Sequence, residues 1–165
     1  MKLRACALLL ALALPVPAVA SNSFSGQLRL TAAVVADCIV TAPSTIDFGS
    51  YNPATQGPGS PLDLTSAAVS IACTKGATSV TIALDQGAFG SGSYRNMQSD
   101  RGNGTIRYEI YTDQQYTTVW NTNNKVSYLP VNDGVTTIPL FGQVPGGQTP
   151  LPGRYSDTLL VLVSF

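Results

Sequence analysis

Apolar side chains recur at every second position along much of this chain, and that period decides what it can fold into. Val80, Ile82 and Leu84 alternate with Thr81 and Ala83. Ile106, Tyr108 and Ile110 alternate with Arg107, Glu109 and Tyr111. In an extended backbone successive side chains point to opposite faces, so such a run has one face to bury and one to wet. No stretch after residue 20 places apolar residues at i, i+3, i+4 and i+7 over the length of a helix. Eleven prolines and fifteen glycines cut the 165 residues into short runs rich in Val, Ile, Thr and Tyr, the residues that strands prefer. The pattern predicts strands over 36–41, 68–74, 79–84, 105–112, 135–141 and 155–165. Residues 85–104 and 142–153 are predicted as long connections. Strands with turn-rich links predict an all-β sandwich.

The first twenty residues, MKLRACALLLALALPVPAVA, follow a different rule. Lys2 and Arg4 precede an apolar run, which ends in Ala18-Val19-Ala20. This is the layout of a secretory signal peptide, with cleavage expected between Ala20 and Ser21. Residues 5–14 are too short to span a bilayer, and Pro15 and Pro17 follow at once. The mature chain is then one domain of 145 residues. Without Lys2 and Arg4, seven basic residues face nine acidic ones, a net charge of −2. Neither a nucleic-acid surface nor a stable membrane insertion is expected from that balance.

Export simplifies the cysteines. Cys6 leaves with the signal, and Cys38 and Cys73 remain as an even pair in an oxidising compartment, where a disulfide is the favoured reading. It would close a loop of 35 residues, contributing about 3.8 kcal/mol in the chain-entropy model. A redox or metal-binding pair is the alternative. It is disfavoured because there is no CxxC spacing and no histidine in the chain.

The two ends of the mature chain raise a joint question. Residues 153–165, GRYSDTLLVLVSF, form a strand with no covering partner after it. Tyr155 stands where immunoglobulin-like sandwiches place the tyrosine corner, at the start of strand F. The final strand would then be F, with strand G missing. Leu159, Val161, Val163 and Phe165 would face the core, beside an unpaired edge and an open slot. At the other end, Phe24, Leu28, Leu30, Ala32 and Val34 alternate with polar or small residues. Residues 24–35 are either an ordinary first strand continuous with the next one or an arm that needs a partner from elsewhere. Extended, they reach about 40 Å, enough to fill such a slot in another copy by β-strand addition.

The sequence resembles the spore coat protein U domain family, which includes subunits of archaic, Csu-type chaperone–usher pili. The matching pieces are SGQLRL, Cys38, IDFGSYNP at 46–53, VSIACTKG at 69–76 and IALDQG at 82–87. They continue with YRNM at 94–97, IRYEIYTD at 106–113, IPLFGQVPGGQ at 138–148 and GRYSDTLLVLVSF. The resemblance implies an incomplete immunoglobulin-like β-sandwich, residues 36–165, lacking its final strand and preceded by a donor-strand extension, residues 21–35. It implies a disulfide between Cys38 and Cys73 and donor residues Phe24, Leu28, Leu30, Ala32 and Val34. The acceptor edge would be Tyr155, Leu159, Val161, Val163 and Phe165. The implied partners are a periplasmic chaperone, an outer-membrane usher and other pilus subunits, with no cofactor and no catalysis. The implied role is a surface-exposed pilus serving attachment and biofilm. The same fold could instead serve a spore or cell coat.

Other functions fare worse on the residues. Without histidine there is no Ser–His or Cys–His base and no His metal ligand. Glu109 and Asp113 could share a strand face as paired carboxylates. The plainer reading is a solvated charge and a turn Asp. Residues 100–104 lack the alternating ligands of a calcium loop and read as a turn. Trp120, Tyr111, Tyr116 and Tyr128 could form a carbohydrate-binding patch, but are favoured as core and edge residues. A tip adhesin would be expected to carry an additional domain.

Overall fold

The structure, a computed structural model, describes residues 27, 29–64, 67–77, 79–130 and 134–165. The expected signal peptide, its Ala20–Ser21 cleavage point, Phe24 and Leu28 lie outside the described residues. Val34–Phe165 form one compact unit.

Ten strands and no helix occur among the described residues: β1 Cys38–Thr41, β2 Leu62–Asp63, β3 Ala67–Cys73, β4 Val80–Leu84, β5 Arg95–Ser99, β6 Thr105–Tyr111, β7 Val126–Tyr128, β8 Val135–Val144, β9 Tyr155–Ser156 and β10 Val161–Ser164. The larger sheet runs β1-β3-β8-β6-β5-β9, with β2 also paired to β8; the smaller runs β10-β4-β7. Every pairing is antiparallel.

The period of two sets the core. β3 buries Val69, Ile71 and Cys73, β4 buries Val80, Ile82 and Leu84, β6 buries Ile106, Tyr108 and Ile110, and β8 buries Ile138, Leu140 and Val144. Trp120 is fully buried, and its indole N–H donates to the Ile82 carbonyl at 2.9 Å, so its polar edge costs nothing inside. Cys38 and Cys73 face each other in the β1–β3 register and are joined by a disulfide, Cα to Cα 4.1 Å. This ties the entry of the sandwich to the end of β3.

Three expected boundaries change. Residues 85–104 are not one long connection, because β5 lies within them and pairs β6 from Arg95↔Tyr108 to Gln98↔Thr105. The pattern hid it because the residues sharing the inner face are Arg95, Met97 and Ser99, and two of the three are polar. Residues 142–153 are not all connection either: β8 continues to Val144 through Gly142. A Cβ at Gly142 would lie 2.8 Å from the Phe48 ring, so the glycine lets the ring lie on the strand. The expected strand over 155–165 is broken. Its first part, β9, pairs β5 in the larger sheet; its last part, β10, pairs β4 in the smaller one. The final strand changes sheets across Asp157–Leu160.

The expected solvated charge at Glu109 is also overturned. Glu109 is 4% exposed and bonds Arg95, itself 2% exposed, at 3.1 Å. Arg95 donates as well to the carbonyls of Asp85 (Nε 2.9 Å, Nη2 2.6 Å) and Trp120 (2.7 Å). Its charge is paired and hydrogen-bonded, which is what permits burial. Breaking such a pair by removing one partner costs about 3–5 kcal/mol. Burial lifts the Glu109 carboxyl above the usual carboxylate range, against the opposing pull of Arg95. Trp120, by contrast, lies in the core as expected; Tyr111 and Tyr116 meet edge to face at 5.4 Å.

Candidate functional site

Between the two sheets the core opens into a groove of about 1250 Å³. Its floor is the core itself, including Val69, Leu84, Ile106, Ile110, Leu140 and Val144. One rim is the segment 42–53. The other is 150–159 together with Val161.

Neither rim is closed by a further strand among the described residues. β10 pairs β4 and no other strand among the described residues. In the sandwich order C-F-G, β4 stands as C and β10 as F, so G would lie on the open side. The bonding pattern fixes which groups face out. Asp85 N–H donates to the Leu160 carbonyl at 3.1 Å, and β10 continues that register against β4. Bonded and non-bonded pairs alternate in an antiparallel ladder. Leu160, Leu162 and Ser164 therefore turn their N–H and C=O toward β4, while Leu159, Val161 and Val163 turn theirs away. On the opposite rim, residues 42–51 belong to no strand among the described residues. This rim is held by its side chains. Ile46, Phe48 and Tyr51 pack on the core, with Phe48 edge to face against Tyr108 at 5.8 Å. The Tyr51 hydroxyl accepts the Gln148 N–H at 2.9 Å. The Gln148 amide in turn pairs with Arg107 as a strand residue would, accepting its N–H at 2.8 Å and donating to its carbonyl at 3.0 Å.

The polar end of the groove is organised by Tyr155, Tyr108 and Asp157. The Tyr155 hydroxyl donates to the Leu151 carbonyl, four residues upstream, at 2.7 Å; this is the bond of a tyrosine corner. The Tyr108 hydroxyl donates to Asp157 Oδ2 at 2.7 Å. Burial first, then this bond, pushes the phenol far above its ordinary value, so Tyr108 is a fixed donor at any physiological pH.

Of the residues expected at the acceptor edge, Tyr155, Leu159 and Val161 line the groove. Val163 is half-buried against the core without lining it, and Phe165 is 56% exposed. Of the expected donor residues, Leu30, Ala32 and Val34 are exposed, Leu30 at 83% and Val34 at 89%. Residues 29–37 form no strand; their alternation is unused within a single chain. Sequence reasoning assigned no role to the second rim, to Asp85 or to Asp157. The signal was there in IDFGSYNP, IALDQG and GRYSDT, whose turn glycines and aspartates are more than strand chemistry requires. Among the described residues no group of three or more His, Cys, Asp and Glu is arranged to hold a metal, and no helix is long and apolar enough to cross a membrane.

Known proteins place this geometry. The model of the Spore Coat Protein U domain matches residues 24–162. Protein U of Myxococcus xanthus is 29% identical over 130 residues, covering 73% of this chain and 72% of that one. Among solved structures, the pre-assembly complex of the chaperone CsuC with the tip adhesion subunit CsuE, from the archaic chaperone–usher Csu pili of Acinetobacter baumannii, matches with a TM-score of 0.54 at 24% identity. That match covers 80% of this chain and 40% of the other, so the chain spans well under half the length of its structural relative. The likeness is one of fold, the immunoglobulin-like sandwich. The minor tip subunit HdaB of the E. coli Hda pilus is more distant, at 17% identity and a TM-score of 0.38, covering 77% of this chain and 79% of that one, and carries no argument. The chain belongs to the Spore Coat Protein U domain family.

Proposed function

We propose that the protein is an exported structural subunit that polymerises by donor-strand complementation into a chaperone–usher pilus. Each copy gives residues 24–34 of its arm to the groove of another copy and receives an arm in the same way. The observation that carries this reading is the groove between two open backbone rims. A strand inserted there would bond β10 on one side and could bond 42–51 on the other, and would lower its alternate side chains onto an apolar floor. Eleven extended residues reach about 36 Å, longer than the rim from Leu159 to Phe165. Leu28, Leu30 and Val34 would each contribute about 1.5–3 kcal/mol if fully buried, and Ala32 less. Head-to-tail contact of this kind does not close on itself and builds a filament. A periplasmic chaperone and an outer-membrane usher would hold and exchange the open groove on the way to the surface, where the filament would serve attachment and biofilm. Such a subunit has no catalytic role.

Deleting residues 21–34 tests this. The truncated chain is expected to be captured by the chaperone and to form no ladder that resists SDS before boiling; normal polymerisation would overturn the reading. The family's description as a spore coat domain favours a second setting, a coat built by the same assembly. Chaperone and usher genes beside the gene would support the pilus; a coat without them would support the second setting.

A further inference from the structure

The final strand reaches the groove only because it changes sheets, and the four residues that make the change, Asp157–Leu160, belong to no strand. Two backbone bonds reach this crossover, from Ala88 N–H to the Thr158 carbonyl and from Asp85 N–H to the Leu160 carbonyl, each 3.1 Å, and two carboxylates supply the rest. Asp157 Oδ1 accepts the N–H groups of Ala88 (2.9 Å), Phe89 (3.3 Å) and Thr158 (2.8 Å), while Oδ2 holds the Tyr108 hydroxyl. Asp85 Oδ1 accepts the N–H of Leu160 (2.9 Å) and of Gly87 (3.0 Å). Asp85 has a reason to use its side chain. Its carbonyl, which an ordinary ladder would offer to Leu160, is occupied by the Arg95 guanidinium. Gly87 makes room for the arrangement: its φ is +79°, and a Cβ there would meet the Asp157 carboxylate.

Apart from the Tyr108 hydroxyl, which reaches Asp157 from β6, these bonds come from the segment between β4 and β5 or from the crossover itself. Leu159, in its middle, makes no hydrogen bond among the described residues, and its side chain lines the groove. We infer that Asp85 and Asp157 are positioning residues for assembly: they hold the crossover at Asp157, Thr158 and Leu160, and leave the backbone of Leu159 and Val161 free to pair with an incoming strand. This rests on the donor-strand reading and adds to it a requirement that lies outside the groove's apolar surface. Without the clamps only two backbone bonds, to the carbonyls of Thr158 and Leu160, hold the crossover until the donor arrives. A segment held so loosely, carrying Leu159 and Leu160, would then collapse onto the apolar floor and occlude the slot.

The test uses the full exported chain and two readouts, the SDS-resistant ladder before boiling and the emission of Trp120, which reports the core from β4. Asp85→Ala and Asp157→Ala are expected to lower the laddered fraction by about tenfold or more, the size of effect that follows from leaving a backbone donor unpaired. Trp120 emission should be unchanged. Asp85→Asn, which keeps Oδ1 as an acceptor, should restore the ladder. If the wild-type chain forms no ladder, the donor-strand reading itself falls, and this inference with it. If the wild type ladders and both alanine variants ladder equally well, this inference alone is overturned. Loss of ladder and Trp120 emission together in both alanine variants would also overturn it, because the carboxylates would then serve the fold as a whole.

Discussion

β3 and β10 both turn aliphatic residues inward at every second position, and only in β3 are they fully buried. β3, Ala67–Cys73, lies between β1 and β8 and seals Val69 and Ile71 completely. β10, Val161–Ser164, is apolar on both faces through Val163 and has β4 on one side only, and Val161 and Val163 remain half-exposed. Leu162, on the outer face, is 42% exposed. For the inward residues, aliphatic in both strands, the difference lies in the neighbours. A strand with two partners is core, and the same strand with one partner is a binding edge.

That comparison can be broken by substitution. Ile71→Ala should lower the stability of the subunit by about 2–5 kcal/mol, read as a shift in the denaturant midpoint, in the arm-deleted and the assembled chain alike. Val163→Ala should cost about 1 kcal/mol in the arm-deleted chain, where half of the side chain is already wet, and about twice that in the assembled chain. Equal costs in the two states would mean that no strand covers Val163 on assembly. A smaller effect sharpens the same contrast at the start of the final strand. Tyr155→Phe removes one hydrogen bond, to the Leu151 carbonyl, and should cost about 0.5–1.5 kcal/mol in both states, since the corner is complete before any donor enters.

The legible part of the fold was the part that obeys one rule. β3, β4, β6 and the first half of β8 alternate cleanly, and their positions follow from the period of two. The Cys38–Cys73 disulfide followed from the expectation of export and from parity. Tyr155, read as a corner from its position, bonds the Leu151 carbonyl through its hydroxyl. What was hidden depends on pairs of distant residues. β5 looks like a loop because Arg95 points inward, and it can do so only because Glu109, fourteen residues on, neutralises it. Read singly, each charge argues for solvent; together they form a buried pair within the larger sheet, from which Arg95 reaches the carbonyls at the end of β4. The break in the final strand was hidden for a similar reason. Asp157 reads as the polar residue before an apolar run, and its partners at Ala88, Phe89 and Tyr108 lie 49 to 69 residues away. The groove itself was expected as one open edge. Its second rim, 42–53, has too few alternating residues to read as a strand, and Ile46 and Phe48 declare themselves only by packing on the core.

The central claim is that the edge of the last strand is open in the lone subunit and closed by an arm. Amide hydrogen exchange measures this directly, in arm-deleted chain at low concentration with and without a peptide of residues 24–34. Alone, the amides of Leu159, Val161 and Val163 should exchange fast, while those of Leu160, Leu162 and Ser164 are protected by Asp85 and β4. With the peptide, all six should be protected. Equal protection of the six before the peptide is added, or no change at Leu159, Val161 and Val163 after it, would contradict the account.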